Sequence, residues 1–483
     1  MTSVRANVLW DYAGSLSGQV ISFVISLVLA RMIGPEEFGV VALAMVIISM
    51  ATIFATMGFG ASIINSRELD PRAVNTIFIL NIVIGLLLTL MGILFAPLIS
   101  RFYGSEQLES VLRVLSVIFV FSTAQSVQHS LLNREMKFRQ LAKLQVITGT
   151  FSGIVGIAMA YQGMGVWALV GQALISSVAT TLFYWYLSPW RPGLSFSVES
   201  IRPHWKYSSK LFMASILDNL YQRFDVILFG RIFSLSVVGN FNRARSFNRL
   251  IVRNSSQSIM KVLFPYISKW QGNLEELRRV AKKGLHVISF LSFGLIAVFA
   301  SCGNDLIIFL YSAKWADTVP IFYWLVLGGF AYPLSALLVN VIRGNGNSKL
   351  FLQIEIAKKV ITASAFVIAW KFGLMAFLKA LLVTQILNVL INMYAVRLEI
   401  RLELITQLAI MAKYAFGAFI ILGSIRYLND FTDTGYLWLN VLHQAGAAGS
   451  LFILYNFIFK STGLQYIVDM GKPLLNRLNK KPA

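Results

Sequence analysis

Arg243, Arg245, Arg249 and Arg253 are clustered in the segment RARSFNRLIVRNSS. The last three recur at every fourth residue, so on a helix their guanidinium groups stack along one face. A charge at bilayer mid-depth costs about 2.5–3.5 kcal/mol on insertion scales. A chain that keeps a row of charges inside a membrane span therefore turns it towards a wet cavity. The planar guanidinium fork gives bidentate hydrogen bonds to phosphate and does not lose its charge. The chemistry these residues offer is recognition of an anion.

The preceding segment carries Asp218, Gln222 and Asp225 on one helical face, with Asn219 and Arg223 beside them. That is too polar for contact with lipid. Counted inward at 1.5 Å per residue, Asp225 and Arg245 both lie about 12 Å deep. A structural Asp225–Arg245 ion pair and a transport role for the two residues are both open. Pairing cannot absorb every cation, because two carboxylates stand against Arg223, Arg243, Arg245, Arg249 and Arg253. Snorkelling to the interfaces would account for Arg243 and Arg253. Arg249, near the middle, is hardest to explain in that way.

Other polar stripes are weaker. Asp11, Ser15, Gly18, Ser22 and Ser26 share one face, with Gln19 adjacent. They read either as a cavity lining or as a small-residue packing seam, with Asp11 hydrated near the entrance. Gln385, Asn388 and Asn392, like Ser122, Gln125 and His129, suit sugar hydroxyls and equally well hold helices together. Glu355 with Lys358 and Lys359 reads as an intrahelical ion pair. The GTFSG segment, Gly149 to Gly153, has the spacing of close helix packing. Trp and Tyr near span ends read as interface anchors.

The elements that carry these residues are membrane spans. Of 483 residues, 57% are hydrophobic and only 13% charged, with a mean hydropathy of +0.69. A soluble domain cannot cover that much apolar side chain. About fourteen apolar segments recur, near 10–33, 38–63, 75–100, 109–132, 143–162, 165–187, 207–232, 238–264, 284–310, 318–342, 350–373, 376–397, 408–427 and 437–459. The expected class is an all-α polytopic membrane protein.

The formal net charge is +21. The basic residues fall in every second connection: Arg67 and Arg72; Arg134, Lys137, Arg139 and Lys143; Arg191, Arg202 and Lys206; Lys269, Arg278, Arg279, Lys282 and Lys283; Arg343 and Lys349; Arg397 and Arg401; and Lys460, Lys472, Arg477, Lys480 and Lys481 in the tail. This is the positive-inside pattern, so the charge reports topology and not a nucleic-acid partner. It predicts an even number of spans with both termini cytoplasmic.

A faint repeat accompanies the pattern. LARMIGPEEFG closes the first span and FGRIFSLSVVG the seventh, aligning Arg31 with Arg231 and Gly39 with Gly239. The expected organisation is two pseudo-symmetric six-helix bundles, 1–187 and 207–400, joined by a cytoplasmic linker at 188–206. Residues 401–483 add two further helices and a basic tail. Parallel repeats of this kind bind substrate between the halves of transporters.

Absences narrow the class. There is no Walker loop, no Ser/His/Asp or zinc-type constellation, and no long extracytoplasmic loop with acidic residues. Cys302 is the single cysteine and has no partner for an intramolecular disulfide. His129, His204, His286 and His443 lack metal-ligand spacing. No cofactor, metal or enzymatic activity is expected, and the N-terminal apolar stretch reads as a span, not a signal peptide.

Several motifs together carry a resemblance: LARMIGPEEFG (29–39), GFGASIINSRELD (58–70), LLNREMKF (131–138), WRPGLSFS (190–197), VLFPYISKWQGNLEELR (262–278) and AKWADTVPIF (313–322). In order and spacing the chain resembles the polysaccharide exporters, the oligosaccharide flippases of the multidrug/oligosaccharidyl-lipid/polysaccharide superfamily, and is most similar to the colanic-acid and exopolysaccharide branch. The resemblance implies a bacterial inner-membrane protein working by alternating access. Its cargo would be oligosaccharide repeat units on undecaprenyl pyrophosphate, and its partners a polymerase and a chain-length regulator. Asp225 falls where relatives often carry an acidic residue before the span-seven corner, and Arg243-Ala244 resembles the pair that opens their eighth span. Arg223, Arg245, Arg249 and Arg253 are assigned to the pyrophosphate by the residue chemistry above. A coupling proton or sodium ion would sit at Asp218 or Asp225. Two other readings are a multidrug or small-cation exporter on the same scaffold, which requires an acidic cavity, and a membrane glycosyltransferase or polymerase, which requires an essential residue in a periplasmic loop.

Overall fold

A computed structural model of the chain describes residues 4–66, 68–193, 195–429 and 434–469. Arg67 and the tail residues Lys472, Arg477, Lys480 and Lys481 lie outside the described residues. So do the side chains of Asp11, Asp218, Gln222, Arg223, Asp225, Arg249 and Arg253. Among the described residues every regular element is helical. The chain divides into two compact units, Met1–Gly239 and Asn240–Ala483.

The first unit contains α1 (Val4–Met32), α2 (Pro35–Thr56), α3 (Phe59–Asn65), α4 (Pro71–Tyr103), α5 (Glu106–Leu115), α6 (Ile118–Arg134), α7 (Phe138–Tyr161), α8 (Val166–Leu187) and α9 (Val198–Ile232), and the first turn of α10 (Leu235–Lys269). Local sequence sets the boundaries. Pro35 opens α2, and Glu36 and Glu37 follow at its positive end. Met57 and Gly58 then take left-handed conformations, so the expected second span is two helices, α2 and α3. Asp70 caps α4 by accepting from the Arg72 amide at 2.9 Å. The expected fourth span is also broken, at Ser116–Val117 between α5 and α6. The Ser116 carbonyl there accepts from Thr89 Oγ1 of α4 at 3.0 Å.

The polar stripe of α1 resolves into two faces. A Cβ on Gly14 or Gly18 would lie 2.4 or 2.6 Å from Ala142 or Gln145 of α7, so these positions form a tight seam. Gly153 of the GTFSG segment meets Ile25 in the same seam. Ser15 and Ser22 lie off the seam and are exposed, and Gln19 donates to Ser15 Oγ at 3.3 Å. The segment after α8 is strapped to α4. Asn75 Nδ2 donates to Ser195 Oγ at 2.8 Å, the Gly193 amide donates to Asn75 Oδ1 at 3.1 Å, and the Ser197 amide donates to Thr76 Oγ1 at 3.0 Å. Phe78 packs edge-on against both Trp185 and Trp190 beneath this strap.

The second unit contains the rest of α10, then α11 (Leu274–Ser301), α12 (Gly303–Tyr311), α13 (Thr318–Leu327), α14 (Ala331–Gly344), α15 (Ser348–Ile400), α16 (Leu404–Asn429) and α17 (Leu437–Ile458). As one rod, α15 would be about 80 Å long, more than twice a hydrocarbon core. Gly373, at φ 78°, interrupts it. Asn388 Nδ2 donates back to Thr362 Oγ1 at 3.2 Å, and Phe377 meets Phe366, so the chain doubles back as a helical pair. The expected tenth span is broken by a 3-10 turn at Gly328–Phe330, at the place in the helix order that Ser116–Val117 holds in the first unit. Eleven described helices are long and apolar enough to cross a membrane. The expected fourteen spans also need α15 counted twice and the more polar α9 and α10 included.

Within the first unit, the starts of α2 and α10 touch reciprocally. A Cβ on Gly39 would lie 1.9 Å from the Leu235 carbonyl oxygen, and one on Gly239 would lie 1.9 Å from that of Pro35. These are the glycines aligned by the sequence repeat. Gly39→Ala or Gly239→Ala should therefore destabilise by about 1–3 kcal/mol, the range for overpacking. Gly446→Ala, with no atom near the added methyl, should be neutral. Thermal unfolding in detergent compares them; equal melting temperatures for all three would contradict the backbone contact.

Candidate functional site

The polar residues singled out by sequence sit on α9 and α10, and each helix is fixed at its ends. At the start of α9, Ser197 Oγ accepts from the Ser200 amide. His204 is buried, with Nδ1 2.5 Å from Ser62 Oγ of α3, and Trp205 packs on Phe59. The C-terminal end of α3 is closed by Arg134, whose Nη1 donates to the carbonyls of Ile63 and Ser66. At the far end of α9, the Arg231 guanidinium lies 5.3 Å from the centre of the Phe102 ring. The Tyr103 hydroxyl donates to the Ile227 carbonyl at 3.4 Å. Positions 218, 222, 223 and 225 lie on the helix between these clamps.

Helix α10 packs into the second unit by one face. Thr318 Oγ1 donates to Asn240 Oδ1 at 2.7 Å. The Arg243 guanidinium carbon lies 6.0 Å from the Tyr311 ring centre and 5.8 Å from that of Trp315. Phe247 packs edge-on against Phe299 and Phe322. Asn248 Nδ2 donates to the Leu325 carbonyl at 3.1 Å, just before the break that ends α13. Positions 240, 243, 247 and 248 follow helical spacing and form one seam. Phe241 meets Phe377 of α15 on the flank. By the same periodicity, positions 245, 249 and 253 fall on the side away from the seam. Arg245 is half-buried and engaged with a neighbour. At the other end of α10, Arg343 lies between the rings of Phe264 and Phe351, at 5.6 and 5.3 Å.

Two sequence expectations change. Arg243 does not snorkel to an interface; it is held by aromatic faces inside the unit. Trp315 is no interface anchor, being 0% exposed. The signal for this pair was present in the RA and AKW segments, but their partnership spans a distance that periodicity does not reach. Asn248 was missed because it stands between two arginines. The amides of the twelfth span pack: Asn392 is buried, and Gln385 lies against Gly328. Lys358 and Glu355 are paired, as read. Among the described residues no cluster of side chains could hold a metal ion.

The described elements, all helical and in two units, with eleven helices long and apolar enough to cross a membrane, make a polytopic helical fold. A solved structure of the lipid II flippase MurJ in an inward closed conformation matches 94% of this chain and 98% of its own, with a TM-score of 0.72 and 16% identity. An inward-facing multidrug-resistance MATE transporter matches 79% of this chain and 94% of its own at 0.59. The chain belongs to the polysaccharide biosynthesis protein family, whose profile matches residues 28–320. It is similar to the lipopolysaccharide biosynthesis protein WzxC of Escherichia coli, 24% identical over 76% of this chain and 75% of the relative. The succinoglycan biosynthesis transport protein ExoT of Rhizobium meliloti is 22% identical over 75% and 74%. The teichuronic acid biosynthesis protein TuaB of Bacillus subtilis is 23% identical over 84% and 85%.

His204 precedes the expected start of its span, so its titration is a matter of folding. Burial holds its imidazole below the usual value, and the nearby Asp70 charge pulls the other way. The unfolded chain therefore binds a proton more readily than the folded one. Stability is complete above the unfolded pKa of about 6.5 and is lost as pH falls through the lower folded value. Melting temperatures should fall as pH drops below about 6.5, and His204→Gln should remove part of that fall. An identical pH dependence in both proteins would exclude His204 as its source.

Proposed function

We propose that the protein is a flippase for lipid-linked oligosaccharides, a transporter and not an enzyme, working in the bacterial inner membrane with both termini cytoplasmic. The cargo is an oligosaccharide repeat unit on undecaprenyl pyrophosphate, destined for exopolysaccharide or lipopolysaccharide. The observation that carries the reading is the seam of α10 at positions 240, 243, 247 and 248, which puts the row at 245, 249 and 253 on the opposite helix face. Family membership and relatives named for polysaccharide biosynthesis and transport supply the cargo class. Arg245, Arg249 and Arg253, with Arg223, receive the diphosphate while the lipid tail stays in the bilayer. The hydroxyls of Ser15 and Ser22 offer hydrogen bonds to sugar. Alternating access moves the headgroup across, with a proton or sodium ion coupled at Asp218 or Asp225. A polymerase and a chain-length regulator take the product on the far side.

A multidrug exporter has the same scaffold, and the MATE likeness is one of fold alone. Cationic drugs need an acidic lining, whereas α10 carries arginines.

Losing a charge-assisted contact costs about 1.5–3 kcal/mol, or roughly tenfold or more in cargo affinity. Arg249→Ala should abolish polymer export while the protein still reaches the membrane, and Arg249→Lys should retain part of it. Polymer yield in a null strain at native expression measures this. Wild-type yield from Arg249→Ala would refute the assignment.

A further inference from the structure

We infer that Arg243 is a positioning residue: gripped by Tyr311 and Trp315, it sets the rotation of α10 about its axis and thereby the direction of the face carrying positions 245, 249 and 253. The inference rests on the flippase reading and adds to it a residue that does not touch the cargo.

The grip is built from three observations. Tyr311 and Trp315 are 2% and 0% exposed, with ring centres 5.8 Å apart, and the Arg243 guanidinium meets both faces and donates to the Tyr311 hydroxyl. The chain between the two rings passes through Ser312 at φ 83° and ψ 170°. That conformation is nearly reserved for glycine and is strained for a serine. The fold retains this strain where it turns both rings onto one guanidinium. The bonds from Asn240 to Thr318 and from Asn248 to Leu325 lie on the same seam, one turn before and about one turn after.

Three directional contacts on one seam fix a helix against rotation far better than apolar packing does. With side chains about 6 Å from the axis, a 20° turn displaces the opposite face by about 2 Å. A bidentate hydrogen bond does not survive such a shift. Stability alone does not call for this arginine, because a well-packed apolar side chain usually replaces a buried charge at little cost. Lysine is no substitute, since it lacks the planar face that stacks between rings.

The test uses the full-length protein in lipid nanodiscs, with geranylgeranyl pyrophosphate as the probe. Binding affinity and thermal melting are measured for Arg243→Met, Arg243→Lys, Tyr311→Phe and Arg249→Ala. Each is also made with Ser246→Cys, an exposed position on α10. The single native thiol, Cys302, is buried, so labelling by a soluble methanethiosulfonate reports position 246. Arg243→Met should bind the probe about tenfold more weakly, equivalent to one charge-assisted hydrogen bond. It should also alter the labelling rate and leave melting nearly unchanged. Arg243→Lys should fail to restore binding, and Tyr311→Phe should fall between. In the double variant Arg243→Met/Arg249→Ala the losses should not add, because both act on one contact.

Wild-type affinity and labelling in Arg243→Met, with affinity lost in Arg249→Ala, would overturn the positioning role and leave the flippase reading standing. Unchanged affinity in Arg249→Ala as well would remove the anion face itself. If Arg243→Met lowers the melting temperature markedly, Tyr311→Phe, which removes only a hydroxyl, decides by the same readouts. Wild-type binding and labelling there would reject the inference.

Discussion

A guanidinium group at the depth of acyl chains must be given water, an anion or an aromatic face, since lipid offers none of these. Three arginines of the chain meet aromatic faces. Arg231, Arg243 and Arg343 sit against the rings of Phe102, of Tyr311 and Trp315, and of Phe264 and Phe351. Of these, Arg243 is held inside its unit by two buried rings and belongs to the architecture. Positions 245, 249 and 253 fall on the other side of α10 from the seam that ties it. The division between them follows from helical periodicity once the packed seam is known.

The same reasoning applies to backbone groups freed at helix breaks. Helices α5 and α6 part at Ser116, and α13 and α14 at Gly328, and both breaks hand backbone carbonyls to side chains of adjacent helices. In a membrane each freed carbonyl needs a donor close by. Thr89 and Asn248 supply them. Asn248 therefore has two duties on one short side chain: it closes the end of α13 and it holds the register of the basic helix.

Much of this was legible in the sequence. The row of arginines, the spans, the alternation of basic connections and the repeat at Gly39 and Gly239 are all periodic signals, and periodicity is what a sequence displays directly. The family resemblance rested on the same segments that now form the strap at 190–197 and the grip at Trp315. What stayed hidden was of another kind. An apolar run does not announce a break when the residue that rescues the freed carbonyl comes from another helix, as at Ser116. A tryptophan near a span end looks like an interface anchor until its distant partner, Arg243, is known. The stripe of α1 could not be divided from spacing alone, because Gly18 and Ser22 differ by one turn yet one enters the seam with α7 and the other does not.

The reciprocal touch of Gly39 and Gly239 has an evolutionary corollary. Each position forbids a side chain because the carbonyl one turn before the other glycine, Leu235 or Pro35, lies against it, so the two close approaches come as a pair. A duplicated helix start would carry both members of such a pair at once. In chains of this architecture too distant to align, a glycine recurring about 200 residues onward, four residues after the start of a helix, would betray the ancestral doubling.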